Sequence, residues 1–287
     1  MNPDVTAFFD QGTNTLTYVL SEPGGVAAAV IDPVLDYDAA SGRTDTRSAA
    51  AVVDFIRARG LRVDWLLETH VHADHLSAAP WLQDQIGGRI GIGAAITEVQ
   101  QTFGKIFNEG TAFQRDGSQF DRLFADGDMF QIGSVPVRVM HTPGHTPACL
   151  TYVAGDAAFV GDTLFMPDSG TARCDFPGGS AAAMWGSVQR ILALPDATRI
   201  FVCHDYKAPG RDAFAWESTV AAQKALNVHV GAGRPLDDFV ALRQARDATL
   251  SMPRLIIPSL QINMRAGHVP EPEDNGVSYL KVPLNGL

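Results

Sequence analysis

The chain of 287 residues is 46% hydrophobic and 19% charged, the balance of a globular protein with apolar material for a large core. A formal net charge of -10 and a pI near 5.1 argue against nucleic acid as the main partner, because phosphate binding needs a basic footprint. No apolar run reaches the roughly 18 to 20 residues of a membrane span, the start lacks a signal or transit pattern, and the three widely spaced cysteines make no disulfide framework, so a cytoplasmic, reduced protein is expected.

Short apolar runs alternate with helical patterns along the chain. "TLTYVL" (15–20) and "VAAAVID" (26–32) read as neighbouring strands joined by the turn "SEPGG". "RSAAAVVDFIRARG" (47–60) has helical spacing and stops at a glycine. "VDWLLET" (63–69) reads as a buried strand, "LSAAPWLQDQIGG" (76–88) as a helix and "RIGIG" (89–93) as a short strand. Residues 97–125 read as a helix and an irregular stretch. A second strand-rich series follows in "DMFQI", "VPVRVMHT", "CLTYVAG" and "AAFVGDTLF". After it come a Gly-rich loop, the helix "SAAAMWGSVQRILAL" (180–194) and the strand "RIFVCHD" (199–205). From about 211 the pattern is mainly helical up to a Pro-rich end. Two strand-rich halves, each followed by helices, predict an α/β fold of two packed sheets covered by helices. A core over 1–210 is expected to carry a C-terminal helical extension over 211–287.

The potential ligands cluster. "ETHVHADHLS" (68–77) places His70, His72, Asp74 and His75 within six positions. His145 lies just beyond the strand "VPVRVM", Asp162 ends the run "AAFVG", and His204 ends "RIFVC". Each of these, like His70, sits at the carboxyl end of a predicted strand, where loops on rigid elements usually assemble sites. Such residues cost desolvation when buried and pack poorly. Imidazoles and carboxylates without a cysteine ligand suit zinc or iron in hydrolysis or oxygen chemistry. The set predicts a metal site. His141, His229 and His268 stand apart and read as non-ligands, and Cys149, Cys174 and Cys203 read as small buried hydrophobes.

"THVHADH", "TPGHT", "GDTLF" and "CHDY" resemble, in order and spacing, the signatures of the metallo-β-lactamase superfamily over roughly residues 15–210. The resemblance implies an αββα sandwich of two mixed sheets flanked by helices, with a metal site at one edge of both. Within the superfamily, "ARCDF" resembles the "GRTDF"-like segment of the persulfide dioxygenases, with Arg173, Asp175 and Phe176 matching and Ala172 and Cys174 departing. "LIIPSLQINMRAG" (255–267) is similar to that family's "PANMRCG"-like ending, and "IDPVLDYDAASGRT" looks like its bacterial branch.

That resemblance implies one iron(II), Fe(II), held by His70, His145 and Asp162. His72, Asp74, His75 and His204 would surround it as catalytic residues, orienting ligands and water. The substrates would be glutathione persulfide and O2, and the products sulfite and glutathione. Two glutathione carboxylates call for cations and donors; Arg173, Tyr206 and Arg265 are the leading candidates, ahead of Lys207 and Arg211. In the superfamily's hydrolases the same ligand types complete a two-metal site of zinc or iron. A hydroxyacylglutathione hydrolase of the glyoxalase II type is therefore the rival reading, and a non-catalytic metal or persulfide sensor is a third. The apolar faces of the 211–250 helices serve either packing on the core or pairing of two subunits as a homodimer.

Overall fold

The computed structural model describes residues 1–286. The first half of the chain forms β1 (Asp4–Asp10), β2 (Thr15–Ser21), β3 (Ala27–Ile31), β4 (Val34–Asp38), β5 (Arg43–Asp45), α1 (Arg47–Ala58) and β6 (Arg62–Leu67). It continues with β7 (Leu76–Ser77), α2 (Ala79–Ile86), β8 (Arg89–Gly93), α3 (Ile96–Ile106) and β9 (Arg122–Phe124). Strands β1-β2-β3-β6-β8-β9 make one six-stranded sheet, antiparallel at β1-β2-β3 and parallel from β3 onward. Strands β5-β4-β7 form a small separate sheet.

The second half contributes β10 (Met129–Ile132), β11 (Val135–His141), β12 (Leu150–Ala154), β13 (Ala157–Phe159), α4 (Ala181–Leu192) and β14 (Arg199–Phe201). Beyond these lie β15 (Glu217–Thr219), α5 (Val220–Leu226), α6 (Leu236–Asp247) and α7 (Ile256–Asn263). Strands β10 to β15 form the second six-stranded sheet in sequential order, antiparallel except for the parallel pair β13–β14.

Side-chain alternation explains the layering. Along β2, Leu16, Tyr18 and Leu20 face the second sheet, and along β6 so do Trp65 and Leu67. They meet Val137, Val139, Tyr152, Phe159 and Phe201 from the other sheet. The opposite-facing Val19 and Leu66 join a cluster with Val53 and Ile56 of α1, Leu82 of α2, Val99 and Phe103 of α3 and Leu260 of α7. On the far side Ala158, Ile200 and Val202 pack against Met184, Val188 and Ile191 of α4 and Phe239 of α6. A period of two sends neighbouring residues to opposite faces, so apolar runs such as "TLTYVLS" supply two layers at once. The result is the expected αββα arrangement.

The element expectations need some amendment. Strands β1, β4, β5, β9 and β15 lie outside the expected elements, and β7 occupies the start of the stretch 76–88 expected to be helical; all but β1 are five residues or fewer, and β1 is part-exposed along its length. "AAFVGDTLF" is a strand only over Ala157–Phe159, because Gly161 turns the chain into a short 3-10 turn. Among the described residues, no helix is long and apolar enough to cross a membrane. All three cysteines are free and buried.

Candidate metal centre

The parallel strands β3, β6, β13 and β14 end at the same edge of the sandwich. The turns that leave them carry Asp32, the 68–75 segment, Asp162 and His204, while the loop after β11 carries His145. All of these except the partly exposed Asp74 are buried. The Asp162 turn needs a glycine beside it. Gly161 has φ +50, and a Cβ there would lie 2.6 Å from Thr69 Oγ1.

Hydrogen bonds set the histidine tautomers. The Thr69 hydroxyl donates to Asp32 Oδ2 at 2.8 Å, so its oxygen accepts from His70 Nδ1–H at 3.0 Å. His145 Nδ1–H donates to the Arg173 carbonyl at 2.8 Å, and His75 Nδ1–H to the Leu76 carbonyl at 3.1 Å. Carbonyls only accept, so these rings present an Nε2 lone pair. His72 is turned the other way. Its Nε2 lies 3.0 Å from Asp32 Oδ1 and 3.3 Å from Glu68 Oε2. His204 Nδ1 lies 3.3 Å from both Thr15 Oγ1 and the Asn14 carbonyl.

The free ends converge. His70 Nε2, His72 Nδ1, His75 Nε2, Asp162 Oδ1 and His204 Nε2 are buried without a hydrogen-bond partner. Asp162 Oδ2 lies 3.6 Å from His145 Nε2 and 4.0 Å from His70 Nε2, and its Oδ1 lies 3.4 Å from His204 Nε2. Asp74 Oδ2 is 3.4 Å from the same His204 nitrogen. The ligand atoms of His70, His145 and Asp162 lie within 4.8 Å of one another, as do those of His72, Asp74 and His75. Buried polar atoms normally find partners, and a shared metal ion is the partner this donor set fits.

Burial, aided by repulsion from the neighbouring histidines, holds His70 well below the usual imidazole range. Burial likewise pushes His75 down to about 4. Both are neutral, as ligation requires. At His72 burial also pushes down, but the Asp32 and Glu68 carboxylates outweigh it and raise the ring well above its ordinary value. Burial raises Glu68, whose carboxyl accepts a very short hydrogen bond from Ser77.

The metal-facing edge opens into a cleft of about 650 Å³ lined by Asp74, His145, Asp162, Phe165, Arg173 and Tyr206, with Lys207, Arg246 and Arg254 also on its walls. Arg173 reaches this cleft, yet its guanidinium is engaged: it makes two bonds to Asp175, at 2.6 and 2.7 Å, and one to the Ser251 carbonyl at 2.7 Å. The Tyr206 ring stacks on His204 at 5.8 Å and is 54% exposed. Arg211 bridges Asp205 and Asp168 instead of facing solvent alone.

Arg265 requires correction as a substrate contact. It is 9% exposed, does not line the cleft, and pairs with Glu109 at 2.7 Å while donating to the Gln261 carbonyl at 2.6 Å. Its position after α7 turns it towards the far side of that helix's end. The same stretch delivers Asn263 instead. Asn263 Nδ2 donates to the carbonyls of His72 and His75 at 2.9 and 2.8 Å, and its Oδ1 accepts from Ser77 N–H at 2.8 Å, clamping the histidine turn. Asp32, Glu68 and Thr69 also escaped the sequence reading, although the aspartate ending "VAAAVID" carried the same strand-end signal as the ligands. Arg246 and Arg254 carried no motif.

The sequence profile of the metallo-beta-lactamase superfamily matches residues 11–204. A Burkholderia pseudomallei protein named "Probable metallo-hydrolase" is 57% identical over 99% of both chains. A beta-lactamase hydrolase-like protein of Agrobacterium fabrum is 54% identical over 99% of this chain, which spans 65% of that relative's length. The mitochondrial persulfide dioxygenase ETHE1 of Bos taurus is 30% identical over 90% of this chain and 87% of its own. The solved structure of ETHE1 from Myxococcus xanthus superposes with a TM-score of 0.73 at 26% identity, covering 92% of this chain and all of that one.

Proposed function

The chain belongs to the metallo-β-lactamase superfamily, and on that premise we propose that it is an iron(II)-dependent persulfide dioxygenase acting on glutathione persulfide. The overall conversion takes the persulfide, O2 and water to glutathione, sulfite and two protons. The observation that carries this reading is the grouping of His70 and His145 with Asp162. Two imidazoles and one carboxylate form the donor set of non-haem iron oxygenases, with positions left open for oxygen and substrate. His72 groups with Asp74 and His75 instead, its Nε2 held by Asp32 and Glu68 and its Nδ1 left without a hydrogen-bond partner. Similarity to a persulfide dioxygenase over 90% of the chain supports the same reading.

Iron(II), when bound, supplies the redox chemistry that lets dioxygen react with a sulfur held beside it. The chain's own residues do the rest. Thr69 and the Arg173 carbonyl hold the His70 and His145 rings in the tautomer that offers Nε2. Phe165 and Phe176 line the cleft near the ligands and narrow the access of water. Lys207, Arg246 and Arg254 face the two carboxylates of a glutathione moiety, and none of the three has a carboxylate partner among the described residues. We take residues 211–286 as part of the same folded unit, since β15 extends the second sheet and Asn263 holds the histidine turn.

A second reading, a hydroxyacylglutathione hydrolase with two metals, is favoured by the unpartnered Nε2 atoms of His75 and His204 beside Asp74. In it, two metals held by these residues would supply water activation for thioester hydrolysis. One experiment separates the two: metal content of purified protein, with oxygen uptake on glutathione persulfide measured beside thioester hydrolysis. About one iron per chain with oxygen uptake and sulfite release meets the dioxygenase reading. About two metals per chain, thioester turnover and no oxygen uptake would sink it.

A further inference from the structure

His145 is the proposed ligand that depends most on the C-terminal part of the chain. Its orientation rests on one acceptor, the Arg173 carbonyl at 2.8 Å. That carbonyl belongs to an irregular loop with no strand to hold it. What holds the loop comes from residues 229–251. Upstream of Arg173, the Thr171 carbonyl accepts from Arg243 Nη1 at 2.9 Å, and Thr171 N–H donates to His229 Nδ1 at 2.9 Å. Downstream, Cys174 N–H donates to Asp247 Oδ2 at 3.0 Å. Arg173 itself is tied by its side chain to the Ser251 carbonyl. Arg243 and Asp247 lie one helical turn apart on α6, bond each other at 2.5 Å, and are 1% and 6% exposed. A buried ion pair of this kind is weak evidence for stability, and in some proteins such a pair sets geometry instead.

We propose that Arg243 and Asp247 are positioning residues for the metal: Asp247 grips the 173–174 peptide that bears the Arg173 carbonyl, through its Cys174 N–H, Arg243 grips the 171–172 peptide before it, and together this pair of α6 fixes the imidazole of His145. A metal-bound histidine needs its distal N–H held by an oriented acceptor, and loss of such support weakens metal binding by about 10- to 100-fold. Here the support runs through two peptide groups to a helix that contributes no ligand. Arg243→Met with Asp247→Leu removes both charges together, so no buried charge is stranded. Arg243→Met with Asp247→Asn restores an acceptor for Cys174 N–H.

This inference rests on His145 being a ligand, as proposed above. The test measures cobalt(II) affinity and the visible ligand-field spectrum of the full-length cobalt-loaded protein. The Met/Leu variant should bind cobalt about 10- to 100-fold more weakly with an altered spectrum, and the Met/Asn variant should recover part of the loss. A folded Met/Leu variant with wild-type affinity and spectrum would leave the pair a mere brace and overturn the proposal. Should that variant fail to fold, hydrogen exchange on the wild-type protein decides: coupling requires cobalt to slow exchange in α6 peptides, and unchanged exchange there refutes it. His145→Ala is the control. If it keeps wild-type cobalt affinity, the ligand assignment has failed rather than the network.

Discussion

The two halves of the metal centre share one edge of the sandwich but differ in how firmly they are built. His70 and His145 have their Nδ1 atoms held at 3.0 and 2.8 Å, by Thr69 and by the Arg173 carbonyl. In the other half His204 Nδ1 has only two contacts at 3.3 Å, and Asp74 receives a single 3.4 Å bond from Thr15. The Asp74 side chain is 22% exposed, against 10% for Asp162. Shorter, more direct support pre-organises ligands and raises affinity for a metal. The lesson is that a superfamily's full complement of ligand types can be present while some members, here His204 and Asp74, are held less firmly than the rest, His75 included.

Asp162→Ala strikes the group that reaches both halves, and the largest loss is expected there. Removing a direct ligand should exceed the roughly 100-fold loss seen for supporting residues, leaving purified protein nearly metal-free and without oxygen uptake. Elemental analysis checks this; full metal content in the variant would remove Asp162 from the ligand set. His75→Ala tests the half that holds His204 and Asp74. With a single working metal it should keep about one iron per chain and lose at most about 10-fold in oxygen uptake. Loss of half of a two-metal content, with collapse of thioester hydrolysis, would instead show that the second half is in use.

The cleft walls should respond more mildly. Lys207→Ala and Arg254→Ala each remove an exposed cation worth about 0.2–1 kcal/mol, so KM for glutathione persulfide should rise up to about 5-fold while kcat holds. Added salt should shrink the difference. A fall in kcat with unchanged KM would place these residues elsewhere in the reaction.

The smallest effect concerns pH. Burial, then repulsion from Arg243, Arg246 and Arg234, lowers His229 from 6.5 to about 4, and its neutral Nδ1 accepts the Thr171 N–H. A histidine depressed in the folded state binds fewer protons there than when unfolded. Its contribution is therefore complete above the ordinary value of 6.5 and is lost as pH falls towards about 4. Denaturation midpoints should show this slope in the wild type and a shallower one in His229→Gln. Identical slopes would mean that His229 titrates normally.

Much of this protein is legible in its residues one at a time. Runs such as "TLTYVL" declare strands because a short stretch rich in β-branched, aromatic and aliphatic residues and bounded by turn residues fits a buried strand best. The strand-end histidines declare a metal because nothing else compensates burying them. The limits are equally specific. β4, β5 and β15 are too short and too polar for a local signal, and pair only because a neighbouring strand presents its edge. "LQINMRAG" promised a functional residue, but helical phase and the partner Glu109 decide that Asn263 faces the histidine turn while Arg265 faces away.

Sequence by itself determined the layered α/β architecture and the ligand types, since both follow from local pattern and chemistry. Tertiary structure decided which nitrogen each histidine presents, that Arg173 is spent on Asp175 and Ser251, and that α6 grips the loop behind His145. Those outcomes depend on hydrogen bonds between residues up to 190 positions apart. Spacing along a chain carries no record of such partners; only packing brings them within reach.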